Sequence, residues 1–323
     1  MYKARSHKTK QFFFVLIKLS IVFGAFYFIY NKLTSNTELQ FSEFLVFLKE
    51  NDAFSIKNAL ILVFLSIFNW FFEILKWQKL VFVVRKLSFF EALKQSLSAL
   101  TASLFTPNRI GDYGAKALYY KLADSKRIVL LNFIGNMQQM AVTTVFGLIG
   151  LYFFVTQYAI NIPVRSVSRY FVIVISITLF SVFGFKKQNK FGIKGFSVEK
   201  IIAFVKTISL KNKLYSFLFS LIRYLIFSFQ FYYLLVLFKI DISIYNAFIS
   251  ITSMYFLASI VPTIFIFDVL IKGSVAVFVF SKIGVNNFTI LSVVLAMWIL
   301  NFVLPSILGS YFVLQYKLPK PVK

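Results

Sequence analysis

The sequence contains no cysteine, which excludes disulfides and thiolate metal sites. Its only histidine, His7, lies in the polar N-terminal tail, so catalysis by a buried imidazole has no residue to use. There is no Walker-type phosphate loop, no Asp-x-Asp pair and no Ser/His arrangement, which leaves ATP hydrolysis and ordinary nucleophilic catalysis without visible machinery. Charge is also scarce. Only 14% of the 323 residues are charged and 59% are hydrophobic, against roughly 45–50% apolar and ~25% charged in soluble domains. What fills the space is aromatic and aliphatic: Phe alone occurs 44 times. The apolar runs reach the ~20 residues needed to cross about 30 Å of hydrocarbon. The fold class expected is all-α integral membrane.

The formal net charge is +24, a value that in a soluble protein would suggest nucleic acid. The Lys and Arg residues sit instead in short segments between apolar runs, as cytoplasmic loops do when they face anionic lipid heads. The expected partners are therefore membrane lipids and not nucleic acid.

The first apolar run, Phe12–Tyr30, follows a basic head but offers no small-residue cleavage site, so it reads as a retained helix. Further spans read at Ala59–Lys76, Ile128–Val155, Arg169–Phe185, Leu214–Phe238 and Thr289–Leu314, making six. Two other stretches, Ser88–Ala123 and Ser243–Lys282, are apolar but interrupted by Pro and Gly. The basic head, the loops Lys76–Lys86 and Lys116–Arg127, the eight lysines of Lys186–Lys213 and the C-terminal lysines all read as cytoplasmic. The acid-bearing segment Asn31–Asn58 reads as external. Both flanks of Ser88–Ala123 are basic, and its second arm carries Arg109, Asp112, Lys116, Lys121 and Asp124. A lipid-facing span with those charges is costly, about 2.5–3.5 kcal/mol per central charge, so a re-entrant hairpin buried in protein is the cheaper reading. By the same count Ser243–Lys282 opens to the opposite face.

A shift of 155 residues superposes Ser88 on Ser243, Ala92 on Ala247 and Pro107 on Pro262. Asp112 and Lys116 are four apart, as are Asp268 and Lys272. The single membrane domain 1–323 thus divides into two inverted halves, 1–156 and 168–316, each with three helices and one re-entrant broken hairpin. Inverted repeats with discontinuous helices place a substrate between the repeats, near the midplane.

The segment Thr106-Pro107-Asn108-Arg109-Ile110-Gly111-Asp112-Tyr113-Gly114 is the most informative. Pro107 ends the first arm, Gly111 and Gly114 allow a turn or close approach, and Asp112 is placed to cap the following short helix. Pro262 and Gly273 take the corresponding structural parts in the second hairpin. Arg109 suits a phosphate or carboxylate because its planar fork donates two hydrogen bonds; its alternative is a tie to Asp112 or Glu73. Arg223 and Gln230, seven apart, share one helix face. The candidate substrate-binding set is Asn108, Arg109, Asp112, Glu73, Arg223, Gln230, Asp268 and Lys272. For Asp112/Lys116 and Asp268/Lys272 the i,i+4 spacing favours local salt bridges. Asn136, Gln138, Gln139 and Asn301 read as interhelical hydrogen-bonding residues, and Phe229–Tyr233 as lipid-facing. Glu38, Glu43, Glu50 and Asp52 fit a solvated amphipathic helix better than glycosyltransferase carboxylates. No metal site, cofactor or catalytic residue is expected.

The Pro107-Asn108-Arg109-Ile110-Gly111-Asp112 segment resembles the transmembrane region of lysylphosphatidylglycerol synthases, flippase-like membrane proteins whose motif is Pro-x-Arg-x-Gly-Glu. Asp112 stands where Glu is usual. Pro262, followed by Phe267-Asp268 and Lys272-Gly273, looks like the family's weaker distal motif. The resemblance implies a lipid translocase for an anionic phospholipid, glycolipid or polyprenyl-linked head group. It also implies residence in the bacterial inner (plasma) membrane, with both termini cytoplasmic. It argues against an aminoacyl transferase, since the soluble synthase domain is absent from this sequence. Two alternatives stay open: a membrane-embedded lipid-modifying enzyme such as a glycosyltransferase, and a non-catalytic partner that delivers lipid to a separate lipid-modifying enzyme.

Overall fold

A computed structural model of the chain describes residues 16–20, 22–24, 26–27, 30, 41–52, 55–104, 106, 110–158, 198–260 and 268–316, with the side chains of 198–200 and 268–271 outside that description. The expected span Arg169–Phe185 and the residues Pro107, Asn108, Arg109 and Pro262 lie outside the described residues, and the first apolar run is described in part, as helix. The described residues form helices α1 (Phe41–Glu50), α2 (Ile56–Val81), α3 (Phe89–Ser103), α4 (Ile110–Leu118), α5 (Leu122–Gln157), α6 (Val198–Thr207), α7 (Leu210–Leu237), α8 (Ile244–Ile260), α9 (Asp268–Ser281), α10 (Asn287–Trp298) and α11 (Leu304–Gln315). A π-helical segment, Ile299–Val303, joins the last two. Among the described residues four helical runs are long and apolar enough to cross a membrane: α2, α5, α7 and the continuous run Asn287–Gln315.

Local chemistry starts these helices. Ser55 accepts from the Asn58 N–H at the start of α2, and Ser209 accepts from the Asn212 N–H at the start of α7. Ser88 and Glu91 form a full capping box at the start of α3. The acid-bearing segment expected to lie outside contains an amphipathic helix, α1, which buries Phe44.

The burial pattern inverts that of a soluble bundle. α2 turns Leu60, Phe64, Ile67 and Phe71 outward, while its buried stripe includes Ser66, Asn69, Lys76 and Trp77. An apolar outer face over a partly polar inner one suits lipid as the solvent. In α7 the aromatic stretch expected to face lipid divides: Phe229 is exposed, but Gln230 and Phe231 are buried, because successive helical residues diverge by about 100°.

Helices α3 and α8 are rich in Ser, Thr and Ala; α3 buries most of its length and α8 nearly half, concentrated at its middle. Their hydroxyls bond back to carbonyls one turn earlier, as Ser253 does to Ile249 and Thr252 to Phe248. α5 packs on α8, and α11 packs on α3. Glycines permit both contacts. A Cβ at Gly150 would stand 1.9 Å from Thr252 Oγ1, and one at Gly309 would stand 2.2 Å from the Leu97 carbonyl oxygen. The other contacts follow the same scheme: α3 with α4 and α8 with α9, α4 with α5 and α9 with α10, and α2 with α7 at the centre.

Three expected loops are shorter than the basic residues suggested. Lys76 lies inside α2 and Lys116 inside α4, both buried, and the segment 186–213 contains α6 and the start of α7. Lysine density marked these as loops, but Lys76 and Lys116 each have an internal partner. The expected uninterrupted span Thr289–Leu314 carries the π segment instead. Pro305 has no N–H to give the Asn301 carbonyl; the Trp70 indole N–H donates to that oxygen at 3.0 Å, and Leu304 N–H reaches back to the Ile299 carbonyl.

Candidate functional site, a buried polar track

Asn69, Glu73 and Lys76 stand four and three residues apart on α2, so they share the face turned to α7. Arg223 comes from α7 to meet them. Its Nε donates to the Asn69 carbonyl oxygen at 3.3 Å and to Asn69 Oδ1 at 3.1 Å. Its Nη1 donates to Glu73 Oε2 and, at 3.2 Å, to Gln139 Oε1 from α5. Lys76 Nζ pairs with the same Glu73 oxygen at 2.6 Å.

From Asn69 the track runs on toward the other end of the bundle. Asn69 Nδ2 donates to Asn301 Oδ1 at 3.1 Å, and Asn301 Nδ2 donates to Gln230 Oε1 at 2.8 Å. Gln230 Nε2 ends the track on the Leu62 carbonyl, 2.9 Å, and Ser66 Oγ, 3.1 Å. From Lys76 to Leu62 the bonds extend along α2 for roughly 20 Å at ~1.5 Å per residue. In lipid such groups must find partners inside the protein, and here each amide finds one on a neighbouring helix.

A second polar knot lies beside it. Lys116 Nζ donates to Asn132 Oδ1 at 2.7 Å, stands 3.3 Å from Asp112 Oδ1, and sits 4.6 Å from the centre of the Trp77 ring. Asn132 Nδ2 donates to Asp112 Oδ2 at 2.6 Å. Trp77 Nε1 and Tyr120 OH both donate to Gln95 Oε1, at 2.8 and 2.9 Å. Asn136 Nδ2 donates to Tyr113 OH at 2.9 Å. Gly135 leaves room between the knots: a Cβ there would lie 2.9 Å from Leu80 Cδ1 and 3.7 Å from Lys76 Cε.

Of the residues singled out from sequence, Glu73, Arg223 and Gln230 meet in the track. Asp112 belongs to the second knot. It falls in the first turn of α4, which begins at Ile110, and its carboxylate is spent on Asn132 and Lys116; no bond to a helix N-terminus is among its contacts. Glu73 draws on Arg223 and Lys76; Asn108 and Arg109 lie outside the described residues. Lys272 stands 5.9 Å from the Phe302 ring of the π segment, away from these partners. Asp268 begins α9, its side chain outside the description. Gly111 makes the close approach expected of it, with a Cβ there falling 2.1 Å from the Ala102 carbonyl oxygen, whereas Gly114 faces open space. Gly273 packs beside Leu291.

Lys76, Asn69 and Asn132 were missed as site residues. The signal existed in the spacing of Asn69, Glu73 and Lys76, and in Asn132 and Asn136 one turn apart on α5. The chain matches no protein-family model, no curated protein and no solved structure. Chemically, the track offers oriented donors and fixed cations in an interior shielded from water, an arrangement suited to holding an anion.

Proposed function

We propose that the chain is a flippase-like lipid translocase of the bacterial inner membrane, handling an anionic lipid head group between two inverted halves. On this reading six spans and two re-entrant hairpins, α3–α4 and α8–α9, make up the bundle. The pairing scheme supports the repeat, since exchanging α2 with α7, α3 with α8, α4 with α9 and α5 with α10–α11 leaves the pattern of contacts unchanged. The burial of α3 and α8 supports the hairpins, because arms rich in hydroxyls avoid lipid by packing inside protein. Orientation with cytoplasmic termini is supported by Lys79, Arg85, Lys86, Lys121, Lys126 and Arg127 at one end, against Glu43, Glu50 and Asp52 at the other.

The observation that carries the reading is the polar track from Lys76 to Gln230 buried through an apolar bundle. Ionisable groups inside a membrane bundle mark substrate or ion paths, and a head group moving between leaflets needs a polar route of this kind. The test is reconstitution of the full chain into vesicles holding a trace of head-group-labelled anionic lipid, with an impermeant quencher added outside. Accelerated loss of inner-leaflet signal is expected, slowed at least tenfold by Arg223→Ala in a folded variant. Traces identical to protein-free vesicles for every anionic lipid tried would reject translocation.

A further inference from the structure

The two polar knots differ in how completely their cations are satisfied. Lys116 has a carboxylate, an amide oxygen and an aromatic face around its ammonium group, and with Asp112 it forms a neutral pair. Lys76 and Arg223 share one carboxylate, and both reach the same oxygen of Glu73. Two positive charges therefore stand against one negative charge, giving an excess of one among the described residues. The excess is buried: the Lys76 side chain is 3% exposed, Glu73 12% and Arg223 18%. Leaving a net charge in a low-dielectric interior is costly, and the cost falls when a counter-ion is supplied.

Donor capacity points the same way. Among the described residues Arg223 Nη2 has no bonded acceptor, since Nε and Nη1 make all four of its hydrogen bonds. Lys76 spends its three-donor ammonium on the single Glu73 contact. Asn69, Gln139 and Glu73 hold the guanidinium plane in place, so its unspent edge is oriented before any ligand arrives.

We infer that Lys76 and Arg223 form a binding site for a singly charged phosphodiester, the phosphate linkage of a glycerophospholipid head group. The inference rests on the translocase reading but narrows its substrate. One negative charge closes the local balance. A diphosphate, as in a polyprenyl-linked carrier, would reverse it and meet the Glu73 carboxylate with repulsion. The phosphodiester oxygens accept from Arg223 Nη2 and the free Lys76 N–H groups, while Glu73 stays paired with both cations.

The experiment is equilibrium binding to the purified full chain in uncharged detergent, using dihexyl phosphate, farnesyl diphosphate and inorganic phosphate as probes. Dihexyl phosphate should bind wild-type protein, and Lys76→Met, which closes the balance without ligand, should weaken it at least tenfold. Glu73→Gln raises the local excess to two and should shift the preference toward farnesyl diphosphate at least tenfold. Unchanged binding in Lys76→Met overturns the inference, as does inorganic phosphate competing as well as the diester. If neither variant folds, neutral trihexyl phosphate serves with wild-type protein: equal protection against thermal unfolding by the neutral and charged esters overturns it. Vesicle transport without this binding pattern would sink the site alone, and the binding pattern without transport would sink translocation alone.

Discussion

The junction of α4 with α5 and that of α9 with α10 each join a short helix to the long apolar run that follows it, yet they are held by different physics. The first is tied by Asp112, Lys116, Asn132, Tyr113 and Asn136. The second is built from Ala276, Val279 and Phe280 packed in one cluster with Ile290 and Val293, with Gly273 close to Leu291. Lipid tails are as apolar as Leu, so burying Phe280 gains packing but little hydrophobic free energy. A polar knot in the same surroundings has no good alternative partner once opened. Directional bonds therefore hold the α4–α5 junction in one arrangement, and close packing holds the α9–α10 junction. The polar track itself lies between α2 and α7 and ties them by one set of bonds.

The largest effect separating polar from apolar contacts is expected from Glu73→Leu in the track between α2 and α7. It leaves Lys76 and Arg223 buried without their carboxylate, a loss of about 3–5 kcal/mol, read as a fall in the unfolding midpoint in detergent micelles. Phe280→Ala in the apolar junction should cost about 2–3 kcal/mol in the same assay, below the ~3–5 of water-soluble cores because only packing is lost. Equal effects from the two would break the contrast. Asn301→Leu should cost about 1–2 kcal/mol by stranding Gln230 and Asn69 amide groups, and it should slow lipid movement more than it lowers the midpoint. The smallest effect lies at the capping box of α3. The backbone N–H of Ser88, bonded to Glu91, holds that carboxyl below its ordinary value of 4.5. Its stabilising contribution is then complete above that value and is lost as pH falls through the lower folded one. Wild-type midpoints should drop on acidification from about pH 6 to pH 3 more than those of Glu91→Gln, and parallel curves would remove the cap from the account.

The membrane character and the four described helices long enough to span are legible in the sequence because lipid imposes length and composition directly. Arg223 and Gln230 were legible as one face because seven residues make nearly two turns. Lys76 was not. A lysine beside Trp77 and near Lys79 looks like the beginning of a cytoplasmic loop, and only the facing Glu73 and Arg223 make its burial tolerable. Helix α6 was hidden for a related reason, since two lysines within a short helix raise local charge without breaking the helical period. The track itself was out of reach, because it joins four segments, and no local pattern says that Asn301 lies against Asn69. Pro305 was the one mark left by the π segment, and a proline within a long apolar run can also be tolerated without one.

That segment has a consequence for how the last span divides its labour. A π turn accommodates one residue more than an α turn, so the helix leaves it about 100° out of phase with the helix that entered. Before the turn the run packs on α9 and α7; after it, on α3. A single helix thus presents one side to α9 and another to α3, with the change of phase located at Asn301. Removing one residue there would restore a regular helix and misalign one of the two contact faces. The length of the span, by this logic, is set by rotation as much as by the thickness of the bilayer.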